Sequence, residues 1–274
     1  MTAHRTAFFV SDRTGITAEM LGHSLLTQFE HVSFTEITLP FVDSREKAKE
    51  TARLIDLTAG KDGSRPLVFS TLVDKNLSGI IQAANVFYID CFQVFIAPME
   101  AELGVQSSHT VGRSHSVRNN SSYFNRIEAV NFALSHDDGQ TTKELDAADV
   151  ILVGVSRCGK TPTCLYMALQ FGIRAANYPL IPEDFEAKKL PGTLEPYCPK
   201  MFGLTIRADR LQRIRHERRP ASTYSSMANC EYEIREAEML MRAEGIPILD
   251  TTTKSIEELA TTILQKAHLQ RHVY

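Results

Sequence analysis

One segment constrains the fold of this chain more than any other: an apolar run that enters a glycine-bounded turn and leaves it as an amphipathic run. The turn, GVSRCGKT at residues 154–161, fits the pattern GxxxxGK[ST] at every fixed position. VILV at 150–153 before it indicates a buried strand, and TCLYMALQF at 163–171 after it is compatible with a helix. A strand, a glycine-rich turn and a helix in this order are typical of parallel α/β folds.

Strand and helix patterns alternate along the rest of the chain as well. Before the polar stretch 104–122, the pattern predicts strands at 7–10, 32–41 and 66–72, helices at 16–29, 43–57 and 75–84, and a strand or helix within 91–103. After it come a helix at 123–134, strands at 150–155, 174–178, 201–206 and 246–249, and helices at 160–171, 209–219, 224–244 and 255–268.

This alternation predicts an α/β fold made of two α/β halves with largely parallel sheets, the C-terminal half resembling a P-loop kinase. We expect an N-terminal α/β domain at 1–104, a polar connection with a helix and an HDDG segment at 105–148, and a P-loop kinase-like domain at 149–274. A P-loop core needs only the second half, so the first half is available for another role.

Composition excludes several classes of protein. The chain has 274 residues, a formal charge of −3 and 43% hydrophobic residues, so it is neither disordered nor basic enough for bulk nucleic-acid binding. Its apolar runs are far shorter than the roughly 20 residues that span a bilayer. Five cysteines without a CxxC pair, and an N-terminus without the apolar core of a signal peptide, predict a reduced, cytoplasmic protein without membrane contact.

The glycine-rich turn predicts a nucleotide phosphate site. Its backbone N–H groups and the positive end of the following helix suit phosphate oxygens. Lys160 can reach the terminal phosphate, and the hydroxyl of Thr161 can bind Mg²⁺. The alternative is a chance match of four fixed positions. The predicted binding residues are Gly154, Val155, Ser156, Arg157, Cys158, Gly159, Lys160 and Thr161.

Two further turns carry groups that suit phosphate chemistry. In His136-Asp137-Asp138-Gly139, either aspartate can serve as base or metal ligand for phosphoryl transfer, although Asp-Gly is also an ordinary turn pair. After the first predicted strand, the turn at 11–19 offers Ser11, Thr14 and Thr17 to a second phosphate; the alternative is a simple helix cap.

The remaining polar and thiol groups are less specific. The arginine-dense stretch 207–219 can supply guanidinium groups to transferring phosphates or form a solvated basic face. Cys158 and Cys164 flank the turn, and we interpret them as packing residues rather than nucleophiles. His109 and His115 are too isolated to indicate a metal site.

Several segments together closely resemble the bacterial phosphoenolpyruvate synthase regulatory proteins. The similarity spans nearly the whole chain and is therefore more specific than a phosphate loop alone. Relatives that act on pyruvate, phosphate dikinase share the P-loop and HDDG, whereas GHSLLTQF and ITLPFV look more like the synthase group. The segments are SDRTGITAEMLGHSLLTQF (11–29), ITLPFVDS (37–44), HDDG (136–139), GVSRCGKTPTCLYMALQFGIRAANYPLIPEDF (154–185) and FGLTIRADRLQRIRHERR (202–219).

The resemblance implies a bifunctional enzyme. Its kinase activity would move the β-phosphate of ADP to a threonine of phosphoenolpyruvate synthase and inactivate it. Its second activity would use inorganic phosphate to remove that phosphate as pyrophosphate and reactivate the synthase. In this interpretation Lys160, Asp137 and Asp138 are catalytic, Thr161 holds Mg²⁺, and ADP is the nucleotide.

Other functions remain open at the level of sequence. The target can be the dikinase instead of the synthase, and the preference for ADP over ATP has no visible cause. A metabolite kinase that uses ATP fits the C-terminal half equally well. A non-catalytic P-loop switch would also carry the same loop. The long helices at 209–244 offer a face for a homodimer, whose existence the sequence does not decide.

Overall fold

The computed structural model describes residues 3–108, 120–141, 143–220 and 222–270. The chain divides into two compact units, unit 1 at Met1–Ser116 and unit 2 at Val117–Tyr274. Each unit is built on a four-stranded sheet in which the paired strands all run parallel. The prediction of an α/β fold with two parallel halves is therefore confirmed.

Unit 1 forms its sheet in the order β2-β1-β3-β4. Alternate residues of β1 point to opposite faces, so Phe8 and Val10 belong to one core cluster, whereas Ala7 and Phe9 belong to another. The strands are β1 (Ala3–Val10), β2 (Val32–Leu39), β3 (Leu67–Ser70) and β4 (Phe87–Asp90). The helices are α1 (Ile16–Leu26), α2 (Arg45–Asp62), α3 (Lys75–Gln82) and α4 (Gln93–Leu103).

Unit 2 repeats this order as β6-β5-β7-β8. Its main core surrounds β5, all of whose residues are buried. The strands are β5 (Val150–Gly154), β6 (Ala175–Pro179), β7 (Met201–Thr205) and β8 (Ile248–Asp250). The helices are α5 (Asn120–Ser135), α6 (Lys160–Phe171), α7 (Pro182–Ala187), α8 (Ala208–Arg218), α9 (Met227–Ala243) and α10 (Ile256–Lys266).

Element boundaries differ from the sequence predictions at a few places. Phe87–Asp90 forms β4 just before the segment 91–103, which is helical from Gln93 because the Asp90 carboxylate accepts from the N–H groups at 92 and 93. The predicted polar connection lies partly outside the described residues, which omit 109–119 and with them both histidines of that stretch, and α5 begins at Asn120. Within the described ranges, every helix is too short or too polar to span a membrane.

Candidate active site

The glycine-rich loop, residues 154–161, connects β5 to α6 at the carboxyl end of the sheet. Gly154 has φ 149°, and a Cβ atom there would lie 2.3 Å from the carbonyl oxygen of Leu204 on β7. Gly159 takes φ 99° as the residue before α6, a conformation that side chains disfavour. Arg157 also has a positive φ of 75°. The loop is therefore a tight turn that only glycine fits at both ends.

Lys160 places its ammonium group inside this turn. The residue is only 4% exposed, and its Nζ donates to the carbonyl oxygens of Gly154 at 3.1 Å and Val155 at 2.9 Å. A buried ammonium needs such acceptors because desolvation disfavours its charge. The loop thus holds one positive charge at the N-terminus of α6, where the helix dipole also favours an anion.

Thr161 joins the loop to the HDDG turn. Its hydroxyl donates to Asp137 Oδ1 at 2.7 Å, across 24 positions of the chain. The same carboxylate oxygen accepts from the side-chain amide of Asn177 on β6. The structure therefore brings Asp137 to the first turn of α6, and Lys160 is the neighbour of Thr161 in that turn.

The HDDG turn is fixed from both sides. Asn177 accepts the backbone N–H of Asp138 at 3.1 Å and donates its own backbone N–H to the carbonyl oxygen of His136 at 3.1 Å. The His136 ring is buried, with Nδ1 2.9 Å from the Phe132 carbonyl oxygen and Nε2 2.8 Å from that of Lys143. Asp138 takes φ 50° and is exposed. Its carboxylate accepts no hydrogen bond from the described part of the chain.

The arginine-dense stretch has two distinct parts. Arg207 and Arg213 are exposed and form ion pairs with Asp209 at 3.0 and 3.2 Å. Arg215 is fully buried, and its guanidinium donates to the carbonyl oxygen of Ser156 in the glycine-rich loop at 3.0 Å. The stretch is therefore not a uniform basic face, because one of its members supports the loop from the protein interior.

Cys158 and Cys164 are buried beside the loop. Burial raises the pKa of both thiols above the ordinary value, which keeps them protonated and unreactive. Their interpretation as packing residues agrees with this environment.

The turn after β1 in unit 1 resembles the glycine-rich loop in ending with a glycine of positive φ before a helix. Ser11 is buried and its hydroxyl accepts from the N–H of Arg13 at 3.1 Å, whereas Thr14 and Thr17 are exposed. Gly15 takes φ 83° immediately before α1. Thr14 lies in the turn, and Thr17 lies in the first turn of α1.

Three residues near the loop were not predicted from the sequence, namely Asn177, Tyr224 and Glu233. Asn177 had a detectable signal, since it is a polar residue inside the apolar run of β6 and is only 3% exposed. Tyr224 and Glu233 carried none, because no local pattern indicates that Tyr224 contacts Ser156, 68 positions away, or that Glu233 pairs with the buried Arg215.

A buried lysine and a hydroxyl–carboxylate pair, at the carboxyl edge of a parallel sheet, define a candidate phosphoryl-transfer site. The family model for kinase/pyrophosphorylase proteins matches residues 7–264. The chain therefore belongs to the kinase/pyrophosphorylase family, and this membership indicates a phosphotransferase.

Closely similar relatives carry the name phosphoenolpyruvate synthase regulatory protein. One from Janthinobacterium sp. (strain Marseille) is 58% identical over 265 residues, covering 97% of this chain and 94% of that protein. One from Aromatoleum aromaticum is 57% identical over 274 residues, covering 100% of this chain and 99% of the relative. One from Pseudomonas aeruginosa PAO1 is 54% identical over 271 residues, with 99% of both chains covered. The similarity thus includes both units.

Proposed function

We propose that this protein regulates phosphoenolpyruvate synthase through two opposed reactions, as an ADP-dependent threonine kinase and as a phosphate-dependent, pyrophosphate-forming phosphorylase. Family membership and the names of the relatives support the proposal. The observation that carries it is the 2.7 Å hydrogen bond between Thr161 and Asp137. This bond joins the glycine-rich loop to the turn that carries Asp137 and Asp138. Phosphoryl transfer to a hydroxyl requires a phosphate site together with a carboxylate, and this arrangement supports that role.

In this proposal the glycine-rich loop holds the two phosphates of ADP. Backbone N–H groups and the helix dipole provide the general anion site. Lys160, whose ammonium already lies within the turn, neutralises the negative charge of the transferred group. The side chains of the loop other than Lys160 and Thr161 position the backbone and carry no reacting atom.

Mg²⁺ fits the oxygen atoms at this site. The Thr161 hydroxyl and the Asp137 carboxylate are hard oxygen donors on adjoining elements. No group of three or more His, Cys, Asp or Glu side chains suited to a metal occurs among the described residues. Such a sparse donor set suits Mg²⁺, which takes one or two protein ligands and completes its shell with phosphates and water. When bound, the ion would offset phosphate charge.

Asp138 is the proposed base of the kinase reaction. Asp137 is already engaged by Thr161 and Asn177, whereas the exposed Asp138 carboxylate is open to a substrate. The threonine oxygen of the target attacks the β-phosphorus of ADP, and the bond from that phosphorus to the bridging oxygen breaks. Asp138 takes the hydroxyl proton, and AMP leaves.

The reverse activity uses the same groups in the opposite direction. An oxygen of inorganic phosphate attacks the phosphorus of the phosphothreonine, and the bond to the threonine oxygen breaks. Protonated Asp138 returns a proton to that oxygen, and pyrophosphate forms in the loop that held ADP. In this proposal the loop holds the phosphates of ADP in one reaction and the pyrophosphate that forms in the other.

For the turn in unit 1 we propose a second phosphate site at Ser11, Thr14 and Thr17. The support is its position, at the carboxyl end of the central strand β1 and before the N-terminus of α1, where ligands of open parallel sheets bind. Thr14 and Thr17 present hydroxyl groups to solvent there.

The test is incubation of the purified protein with phosphoenolpyruvate synthase and ADP labelled in the β-phosphate. We expect labelled phosphothreonine on the synthase with loss of its activity, followed by release of labelled pyrophosphate when inorganic phosphate replaces ADP. Parallel reactions contain pyruvate, phosphate dikinase instead of the synthase, or ATP instead of ADP. Transfer to the dikinase alone, transfer from ATP alone, or nucleotide binding without transfer would each contradict the proposal.

A further inference from the structure

Arg215 on α8 is a fully buried cation that contacts the glycine-rich loop from the protein interior. Its Nη2 donates to the Ser156 carbonyl oxygen at 3.0 Å and to Glu233 Oε2 on α9 at 2.6 Å. Its Nη1 donates to the Tyr224 carbonyl oxygen at 3.2 Å. Buried charges are rare unless they are paired in this manner, so the cost of burying Arg215 indicates a specific task.

Tyr224 holds the same loop residue by its side chain. Its hydroxyl donates to Ser156 Oγ at 3.0 Å, and its ring lies under the guanidinium carbon of Arg215 at 4.1 Å. Ser156 therefore accepts two hydrogen bonds, one at its carbonyl oxygen from Arg215 and one at its hydroxyl from Tyr224. Both partners are distant in sequence, by 59 and 68 positions.

The hydrogen bonds to Ser156 determine the direction of the following N–H group, which belongs to Arg157. A trans peptide is planar, so its C=O and the following N–H point in opposite directions. The Ser156 carbonyl oxygen faces the buried Arg215, so the N–H of Arg157 points to the opposite side of the peptide. Arg157 takes a positive φ of 75°, which a non-glycine residue adopts only when its surroundings enforce it.

We propose that Arg215 and Tyr224 are positioning residues that keep the Ser156–Arg157 peptide oriented for binding a nucleoside diphosphate or inorganic phosphate. They act through the loop and touch no ligand. This inference rests on the proposed function of the loop as the phosphate site. It assigns a role in phosphate affinity to α8, which holds Arg215, and to Tyr224 in the segment that follows it.

The test is a double-mutant cycle on the hydrogen bond between the hydroxyl groups of Tyr224 and Ser156. ADP binding is measured by calorimetry in the absence of any target protein. Tyr224→Phe removes one hydroxyl, and Ser156→Ala removes its acceptor. We expect each to weaken ADP binding by about threefold to tenfold, the range for one net hydrogen bond. Since the two groups act as one unit, the double variant should bind no more weakly than the weaker single variant.

Tyr232→Phe is the matched control. Tyr232 is a partly exposed tyrosine of the same unit, and its hydroxyl makes no hydrogen bond within the described part of the chain. Its variant should bind ADP like the parent protein. The melting temperature of all four variants should remain close to that of the parent, which separates positioning from loss of fold. Fully additive effects of Tyr224→Phe and Ser156→Ala would overturn the inference.

Arg215→Lys tests the contact between the guanidinium and the carbonyl oxygen of Ser156. Lysine keeps the charge that Glu233 needs but lacks the planar fork that reaches three oxygen atoms at once. We expect a larger loss of ADP affinity than for Tyr224→Phe; unchanged affinity in a folded Arg215→Lys variant would contradict the role of Arg215. Lys160→Ala distinguishes failure of the proposed function from failure of the positioning role. If that variant binds ADP normally, the proposed function fails; if it alone loses ADP, only the positioning role fails.

Discussion

The two units share one architecture but differ in the side chains at their central loops. Each sheet has the strand order second-first-third-fourth, counted within its unit. In each, five residues separate the first strand from the first helix, namely 11–15 and 155–159, and the last of the five is a glycine with positive φ. The backbone thus presents a helix N-terminus at the same edge of both sheets.

Two of the matching positions carry side chains of different chemistry, although Thr17 matches Thr161. Lys160 begins α6, whereas the exposed Ile16 begins α1. Ser156, which Arg215 and Tyr224 hold by hydrogen bonds, matches the acidic residue Asp12. A parallel sheet therefore supplies a general position for an anion, while a few side chains decide whether chemistry can occur there.

The largest predicted effect comes from the lysine that only one loop has. Lys160→Ala should reduce transfer from ADP to the synthase by at least about 10³-fold, because the transferred group loses its internal counter-charge. Labelled phosphothreonine measures the transfer. Ile16→Ala at the matching position is the control and should leave the rate unchanged. Equal losses in both variants would remove the distinction between the loops.

The second prediction concerns the carboxylates beside the loop of unit 2. Asp138→Asn should slow transfer by about 10²- to 10⁴-fold, because the amide cannot take the hydroxyl proton. Asp137→Asn should mainly raise the Mg²⁺ concentration needed for half-maximal rate. The assay is the initial rate against Mg²⁺ for both variants. If both variants transfer phosphate normally, HDDG is only a turn.

A third prediction compares the backbone of the two loops. Gly154→Ala should lower the free energy of unfolding by about 3 kcal/mol or more, since the new Cβ would lie 2.3 Å from a backbone oxygen of β7. Gly15→Ala should lower it by about 1–2 kcal/mol, because it meets only the Thr38 methyl group, at 2.9 Å, in a left-handed conformation. Urea denaturation gives both values. A larger loss at Gly15 would show that the loop of unit 1 is the more constrained one.

The fourth prediction tests the hydroxyls of unit 1. Thr14→Ala should raise the inorganic phosphate concentration needed for half-maximal reactivation by about twofold to fivefold, the loss of one hydrogen bond. The ADP requirement of the kinase reaction should change less. Steady-state titrations of both substrates decide this point, and equal shifts would count against a phosphate site in unit 1.

The smallest predicted effect concerns Asp12. Burial raises the pKa of its carboxyl above the ordinary value, so the folded state binds its proton more tightly than the unfolded state. Its ionisation therefore opposes folding, and stability falls as the pH rises through the folded pKa. Asp12→Asn should remove this decline and slightly raise the unfolding free energy at neutral pH. Unfolding curves from pH 4 to 7 measure it; an unchanged slope would mean that Asp12 does not contribute.

Local sequence patterns predict the fold well because each element carries its own signal. The apolar runs at 7–10 and 150–153 became the central strands, and Ser255 with Glu258 forms the capping box that opens α10. The short strand β4 was missed because four residues that end in a capping aspartate contain too little periodicity. The site was harder to predict from the sequence, since Asn177 and Arg215 act through contacts with residues 40 and 59 positions away.

One consequence of the Lys160 contacts concerns how this loop selects its ligand. The ammonium has three N–H bonds, and two of them already go to carbonyl oxygens of its own turn. In the proposed complex, a ligand that takes more than one hydrogen bond from Lys160 therefore displaces a carbonyl oxygen, and the net gain from that exchange is smaller. A weakly charged anion gains little from such an exchange. A loop that binds as proposed would therefore favour ligands of high negative charge, such as nucleotide phosphates, over singly charged chloride or acetate.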